Sequence, residues 1–248
     1  MRSPKVHATS SLTVTRVARP RIAKTARVTV LFADLRGYTA LAERLAPARI
    51  LPLLDEFFGV LAAATARHDG QVFHIAGDSM MAGFGISGEQ DGACEAMSAG
   101  NAILKDFAEV AMRWRQDLSI EAGVGIGLHL GEVALGTLGP PGHKRTTLVG
   151  DTVNVAARLC GRARAGELLL SCTVATALDA ARAANTHDST PIAVLHLPQF
   201  ELRGRSAPLD IWCVPATERV TLIGTAPVAE LVDATDLNTI RVPIKPLI

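Results

Sequence analysis

The sequence lacks a strong charge imbalance and is poor in aromatic residues. Aromatic residues make up 4% of its 248 residues, and the formal net charge is +1 at pH 7. A chain so close to neutral has no overall field that would draw it onto nucleic acid or an anionic membrane. We therefore expect no nucleic-acid partner, and any anionic ligand has to be held by a local site.

Cysteines are few and far apart. The four cysteines include no CxxC pair and the chain has no His-rich cluster, so neither a disulfide framework nor a structural zinc site is indicated. No run approaches the ~20 apolar residues that a membrane-spanning helix needs. We expect a protein of the reducing cytoplasm without a transmembrane segment.

Two common phosphate-binding motifs are also absent. The sequence contains neither a GxxxxGK[ST] loop nor a GxGxxG loop that opens a helix. Kinase-like and dinucleotide-binding functions therefore have no support.

The chain does contain enough apolar residues for a large core, since 48% of it is hydrophobic. Residues 1–26 are basic and contain no Asp or Glu, so we expect a flexible N-terminal segment. Residues 27–215 alternate strand-like and helix-like patterns and are predicted to form one domain. Past Pro215 these patterns fade, and we expect residues 216–248 to be a poorly ordered tail without function.

The order of these patterns predicts an α+β domain in which helices pack on a largely antiparallel sheet. The predicted elements, in chain order, are a buried strand at 27–34, helices between 39 and 67 with Pro47 starting the second, a hairpin at 71–85, a helix at 91–116, two strands broken by glycines at 122–139, a strand at 146–150, a helix capped by Asp151, a strand at 166–171, and two strands between 200 and 214 around an Arg-Gly-Arg turn.

Five polar residues stand out, and each has an ordinary explanation when taken alone. Asp34 ends a strand, where it could cap a helix, and the Gly-Asp pair at Asp78 suits a tight turn. Asn154 and Arg158 are four residues apart, so they share one face of a helix. Arg205 lies in a predicted loop.

Taken together, these residues indicate phosphoryl chemistry. Two carboxylates on adjacent strands can converge on a pair of divalent cations, which is how proteins hold Mg²⁺ against the phosphates of a nucleotide. Asn154, Arg158 and Arg205 would supply neutral and cationic donors to a transition state whose charge spreads over several oxygens.

Four motifs carry a resemblance to a known family. "VLFADLRGYT", "HIAGDSMMAGF", "GIGLHLGEVALGTLG" and "TTLVGDTVNVAARL" resemble the catalytic domain of the class III nucleotidyl cyclases, the adenylate and guanylate cyclase family. The likeness spans residues 27–215 and keeps the order and spacing of the family's motifs. It implies a ferredoxin-like core and a head-to-tail homodimer, with active sites shared between the subunits and two Mg²⁺ or Mn²⁺ ions in each.

The resemblance also implies roles for individual residues. Asp34 and Asp78 match the two metal-binding aspartates of the family, and the backbone of Leu35 matches a further metal ligand. Asn154 and Arg158 match the residues that stabilise the transition state from the opposite subunit. The implied reaction is attack of the ribose 3′-hydroxyl on the α-phosphate of a nucleoside triphosphate, which releases pyrophosphate and a cyclic nucleotide.

The substrate-binding positions depart in part from the family pattern. Arg205 falls where the family often places a cation for the terminal phosphates. His74 and Thr147 fall at the two base-selecting positions, where adenylate cyclases commonly have Lys with Asp or Thr, and guanylate cyclases have Glu and Cys. Thr147 fits a bacterial adenylate cyclase, whereas His74 fits neither set. A neutral imidazole has one donor and one acceptor, so it could serve a purine in either tautomer, but a solvent-facing hairpin histidine is the structural alternative.

Our first hypothesis is therefore a homodimeric adenylate cyclase that makes 3′,5′-cyclic AMP from ATP, with GTP as the nearest alternative substrate. A catalytically silent module of the same fold, which binds a nucleotide or a regulatory partner, is the second. Silent relatives would be expected to lose a metal aspartate or the Asn/Arg pair, whereas this chain has all four residues. A diguanylate cyclase or a polymerase palm shares the two-metal chemistry, but the GG[DE]EF signature is absent. Nothing in the sequence identifies a regulator, although we expect one.

Overall fold

The computed structural model describes residues 23–88, 90–184, 194–200 and 208–215. The helices in these ranges are α1 (Tyr38–Arg44), α2 (Pro47–Arg67), α3 (Ala93–Leu118), α4 (Asp151–Arg162) and α5 (Cys172–Ala183). The strands are β1 (Lys24–Arg36), β2 (Gln71–Ala76), β3 (Ser79–Phe84), β4 (Gly123–Leu138), β5 (Arg145–Val149), β6 (Leu168–Ser171), β7 (Leu195–Phe200) and β8 (Leu209–Val214).

The described strands form one sheet in the order β2-β3-β1-β4-β6-β8-β7, and β5 pairs with β4 outside this path. Neighbouring strands are antiparallel, except that β4 and β6 run parallel. The first four strands, with α1 and α2 after β1 and α3 after β3, have the β2-β3-β1-β4 order of a ferredoxin-like unit. The predicted fold, a ferredoxin-like antiparallel-rich sheet with helices packed on it, is confirmed.

The two faces of the sheet are covered differently. Helices α2, α3 and α5 pack on one face over a continuous apolar core. Its centre contains the Phe57 and Phe107 rings, 5.0 Å apart, and the Trp114 ring, 5.5 Å from Phe107, separations typical of favourable aromatic contacts. The other face carries α4 and β5 over two smaller apolar clusters. We call this second face the α4 face, because the candidate residues lie on it.

Strand β4 is one continuous strand, so the prediction of two strands broken by glycines is wrong. It pairs with β1 without interruption from Gly123 to Leu135. Its glycines make room for a helix: a Cβ atom on Gly127 would lie 2.2 Å from the amide nitrogen of Cys160 and 2.4 Å from the carbonyl oxygen of Ala156. On Gly131 it would lie 2.5 Å from Oγ1 of Thr152. The backbone of α4 therefore rests directly on β4.

Other element ends also differ from the predictions. Strand β1 begins at Lys24, inside the segment expected to be flexible, because its first residues pair with the long β4. Gly150 occupies the N-cap of α4, and Asp151, the predicted cap, is the first helical residue, where its charge suits the helix dipole. Helix α5 was not predicted, and β7 begins at Leu195 instead of following residue 200.

Some predictions fall on residues outside the described ranges. These are the first 22 residues of the basic segment, the tail at 216–248 and the turn that contains Arg205. In the described part of the chain, no helix combines the length and the hydropathy needed to cross a bilayer. The four cysteines all lie in described residues and form no disulfide there.

We expect Gly127→Ala to destabilise the domain by about 1–3 kcal/mol, the usual cost of overpacking, because the new methyl group would collide with the backbone of α4. The midpoint of urea unfolding measures this effect. Gly136→Ala is the matched control on the same strand, since a Cβ there would come no closer than 3.5 Å to its nearest neighbour, Ala23. Equal stability of the two variants would contradict the direct packing of α4 on β4.

Candidate active site

Asp34 lies inside β1, near its end, rather than in a turn or at a helix cap. It pairs with Ser79 on β3 and with Gly125 on β4, so it sits in the middle of the sheet. The hydroxyl of Ser79 donates a hydrogen bond to Oδ1 of Asp34, and Arg36 forms an ion pair with Oδ2. Residues 34 and 36 share the α4 face with Phe32, because side chains alternate along a strand.

Asp78 is the second residue of the two-residue turn between β2 and β3. Gly77 precedes it with φ of 59°, a left-handed conformation that favours glycine. The amide of Leu35 donates a hydrogen bond of 3.1 Å to the carbonyl oxygen of Asp78. This bond ties the tip of the hairpin to β1 one residue after Asp34. The Gly-Asp pair therefore forms the turn and also brings Asp78 close to Asp34.

The two carboxylates influence each other electrostatically. Burial raises the pKa of Asp78, and the negative charge of Asp34 raises this pKa further, while the nearby Arg36 opposes the shift. Both causes make the charged form of Asp78 less stable in the folded protein. A bound cation would relieve that cost, so the pair is suited to a divalent ion.

The donor set fits Mg²⁺ or Mn²⁺ bound together with a phosphate ligand. In the described residues, no group of three or more His, Cys, Asp or Glu side chains could hold a metal ion. At this place in the sheet the charged ligands are two carboxylates, those of Asp34 and Asp78. Leu35 is 2% exposed and packs in the core, so only its backbone could face a cation. Mg²⁺ is typically bound by one or two carboxylates plus substrate phosphates.

His74 reaches the α4 face because of a β-bulge. Strand β2 shifts register between Val72, which pairs with Ala82, and His74, which pairs with Met81. The bulge adds Phe73, and an extra residue moves every later side chain to the other face of the sheet. Without it, His74 would lie opposite Met80, on the face covered by α2 and α3. The His74 residue is exposed, on the same face as Asp34.

Thr147 lies on β5, which packs against β2 across the α4 face. It is half-buried and pairs with Gly136. The side chains of Leu148 and Phe73 meet above Gly83: a Cβ on that glycine would be 2.8 Å from Leu148 and 3.1 Å from Phe73. Thr147 and His74 are each one residue away from this contact, so the structure brings the two predicted base-selecting positions to neighbouring elements.

Asn154 and Arg158 lie on the opposite side of α4 from the residues that pack on the sheet. The buried residues of the helix are Thr152, Val155, Ala156, Leu159 and Cys160. At about 100° per residue, positions 154 and 158 fall on the outer side of the helix, away from that buried stripe. Among the described residues, no hydrogen bond or ion pair joins either side chain to Asp34 or Asp78. A single chain therefore does not bring the two halves of the predicted site together.

Two further residues at the site were missed in the sequence. Ser79 and Arg36 both contact the Asp34 carboxylate. The alternation of side chains along a strand would have placed Arg36 on the same face as Asp34, so this signal was present. Ser79 could not have been found without the pairing of β3 with β1. Arg205 lies outside the described residues, and its role stays a prediction.

Comparisons with known proteins identify the family of this chain. Residues 21–208 match the family model described as "Adenylate and Guanylate cyclase catalytic domain". An adenylate cyclase from Anabaena cylindrica is 35% identical over 140 residues, which are 56% of this chain and 28% of that protein. The chain thus spans under a third of the length of this curated relative.

Two solved structures have a similar fold. The adenylyl cyclase CyaB from P. aeruginosa aligns with a TM-score of 0.70 and 26% identity, covering 79% of this chain and 97% of that one. The guanylyl cyclase Cya2 aligns with a TM-score of 0.68 and 26% identity, covering 82% of this chain and 98% of that one. These two similarities are nearly equal, although the two proteins are named for different nucleotides.

We expect Asp78→Asn to raise the melting temperature at pH 7 in the presence of EDTA. Because the pKa of Asp78 is raised on folding, the stability that its protonated form contributes is present below its ordinary value of 3.8 and is lost as the pH rises through the raised value. The gain of the variant should therefore shrink as the pH falls toward 3.8. Melting curves across this pH range measure it.

Asp106→Asn is the matched control for this experiment. Asp106 forms an exposed ion pair with Arg67, 2.5 Å long, at a distance from the two carboxylates. The melting temperature of Asp106→Asn should show no gain over the parent chain that increases with pH. If the melting temperature of Asp78→Asn at pH 7 equals or falls below that of the parent chain, the charged carboxylate of Asp78 does not destabilise the folded state, and the expectation is wrong.

Proposed function

Because this chain belongs to the adenylate and guanylate cyclase catalytic-domain family, we propose that it converts ATP to 3′,5′-cyclic AMP and pyrophosphate. The observation that carries this proposal is the pairing of Asp34 and Asp78. The Leu35–Asp78 backbone bond and the β1–β3 register hold these carboxylates together on an accessible face. A cyclase needs such a pair to hold cations against a triphosphate.

The carboxylates of Asp34 and Asp78, with the backbone of Leu35, would hold two Mg²⁺ or Mn²⁺ ions. When bound, the ions would lower the pKa of the ribose 3′-hydroxyl and offset the charge that develops on the leaving pyrophosphate. Ser79 keeps Oδ1 of Asp34 in place through its hydrogen bond. The protein's part in this half of the site is to hold the two carboxylates next to each other, through the β1–β3 register and the Leu35–Asp78 bond.

Asn154 and Arg158 form the other half of the site. The Arg158 guanidinium would bind the equatorial oxygens of the α-phosphate as their negative charge grows, and the Asn154 amide would orient the ribose by hydrogen bonding. Arg205 would bind the terminal phosphates. Donors of this kind favour the transition state over the bound substrate, since they act where charge develops.

The outward direction of Asn154 and Arg158 supports a homodimer. Both lie on the side of α4 that faces away from the sheet carrying Asp34, so a second copy has to bring its own α4 to these carboxylates. In a two-fold dimer the arrangement repeats, and two equivalent sites form between the subunits. This accounts for the separation of the two halves in one chain.

The base is read, in this proposal, by His74 and Thr147. The imidazole can donate to or accept from a purine ring nitrogen, and the threonine hydroxyl can do either with the exocyclic group. ATP is favoured because Thr147 suits adenine and because the Anabaena relative is named an adenylate cyclase. GTP is the second candidate, since His74 replaces the lysine of adenylate cyclases and the fold is nearly as similar to a guanylyl cyclase.

We also propose a cytoplasmic location, which the unpaired cysteines support, and a regulator whose nature nothing in this domain specifies.

We expect the purified protein to form cyclic AMP when it is incubated with ATP and Mg²⁺ or Mn²⁺. Each of the four nucleoside triphosphates should be tested, and the product identified by mass spectrometry. Asp34→Ala should abolish the product, whereas Asp106→Ala, which removes a remote carboxylate, should not. Cyclic GMP as the main product would favour the second candidate. Nucleotide binding without any cyclic product would instead indicate a silent module.

Mixing two inactive variants should restore activity if the sites are shared. Asp78→Ala removes one half of the site and Arg158→Ala the other. Random reassociation makes about half of the dimers mixed, and each mixed dimer has one intact site, so we expect roughly a quarter of the parent activity. A mixture of Asp34→Ala with Asp78→Ala is the control and should stay inactive, because both changes affect the same half. No recovery in the first mixture would contradict sites formed between subunits.

A further inference from the structure

Arg36 connects the candidate cation site to the end of α4. Its Nη1 forms an ion pair with Oδ2 of Asp34, its Nε donates a 2.9 Å hydrogen bond to the carbonyl oxygen of Ala163, and its Nη2 donates to the carbonyl oxygen of Cys160. One guanidinium therefore bonds to β1 and to the last turn of α4 at once. The Arg36 side chain is 23% exposed, so these bonds are partly shielded from water.

Three sources of negative potential meet at this guanidinium. Two are the carboxylates of Asp34 and Asp78, and the positive charge of Arg36 acts on the pKa of Asp78. The third is the C-terminal end of α4, where the helix dipole places a partial negative charge. Without a cation in this position, the helix end and the carboxylates would repel each other. Arg36 is thus the protein's own counter-ion at the place where a divalent ion is expected.

We propose that Arg36 is a positioning residue that sets the affinity of Asp34 for divalent cations. Its charge weakens cation binding at the carboxylate, since a divalent ion has to bind beside the guanidinium or replace it on Oδ2. Its planar fork, bonded to Ala163 and Cys160, keeps the carboxylate in register with α4. The residue therefore has two separable roles, one through charge and one through hydrogen-bond geometry.

A functional consequence follows from the charge of Arg36. Cation binding to the two carboxylates alone is weak, because the guanidinium already compensates part of their charge. A triphosphate adds its own oxygens and negative charge, which tips the balance toward the cation. Arg36 thereby makes cation loading depend on the nucleotide. This inference rests on the cation site of the proposed function.

The charge role is tested by measuring Mn²⁺ affinity without any nucleotide, from the electron paramagnetic resonance signal of free Mn²⁺. Arg36→Gln should bind Mn²⁺ about tenfold more tightly, because a unit charge within roughly 6 Å weakens binding of a divalent cation by this factor even at the dielectric constant of water. Arg36→Lys keeps the charge and should bind Mn²⁺ as the parent chain does. Arg36→Met is a second neutral variant with a stem of similar shape, and it should behave like Arg36→Gln.

The geometric role is tested by the melting temperature in EDTA. Arg36→Gln and Arg36→Lys should both melt below the parent chain, since neither side chain reproduces the fork to Ala163 and Cys160. The two measurements therefore distinguish the two roles. Stability falls in both Arg36→Gln and Arg36→Lys, whereas Mn²⁺ affinity changes only when the charge is removed. Arg113→Gln is the matched control, because Arg113 forms a 2.6 Å ion pair with Glu56 between α2 and α3. It should leave Mn²⁺ affinity unchanged.

A merely structural Arg36 predicts a different result. Loss of its bonds would then loosen Asp34, and Mn²⁺ affinity would fall in the lysine and neutral variants alike, in parallel with stability. That outcome would overturn the proposal. An unchanged Mn²⁺ affinity in the neutral variants would also overturn it, and so would failure of both neutral variants to fold.

Variants of the carboxylates separate this inference from the proposed function. Asp34→Asn and Asp78→Asn should each weaken Mn²⁺ binding. If neither does, the cation site itself is wrong and the proposed function fails with it. If both do and Arg36→Gln does not tighten binding, only the role of Arg36 is wrong.

Discussion

The close approach of α4 to β4 is the constraint on which the rest of this site depends. Glycines at 127 and 131 let the helix backbone rest on the strand, at a distance that any larger side chain would prevent. This contact fixes which side of α4 is buried. It thereby directs Asn154 and Arg158 outward, and it brings the C-terminal end of the helix over β1 beside Asp34.

Backbone geometry places the two carboxylates next to each other, and side-chain bonds from Ser79 and Arg36 then hold the carboxylate of Asp34. The Leu35 amide fixes the turn that carries Asp78, and the pairing of β1 with β3 fixes Asp34 beside Ser79. Folding partly buries Asp78 and brings it near the negative charge of Asp34, and both effects raise its pKa. The favourable interactions of the rest of the fold compensate this cost. Sites that bind cations commonly accept such a cost, because the ion recovers it on binding.

Much of the fold was predictable because its patterns are local. Pro47 at the start of α2 and the hairpin around Gly77 were read from single residues and alternation, and both are found in the structure. The division of β4 into two strands was predicted wrongly. Glycines weaken an isolated strand, but in β4 they make room for the backbone of α4, which lies later in the sequence. Helix α5 was not predicted; it begins directly after β6, with no loop between the two elements to mark its start.

The sequence by itself determined the fold class, the family and the residue types at the candidate site, since these follow from short motifs, from hydrophobic periodicity and from spacing along the chain. Only the tertiary structure decided how the site is assembled. The bulge at Phe73 puts His74 on the same face as Asp34, the packing of α4 separates Arg158 from the carboxylates, and Arg36 joins the helix end to Asp34. These relations depend on strand register and on contacts between residues far apart in the chain, and no local pattern specifies them.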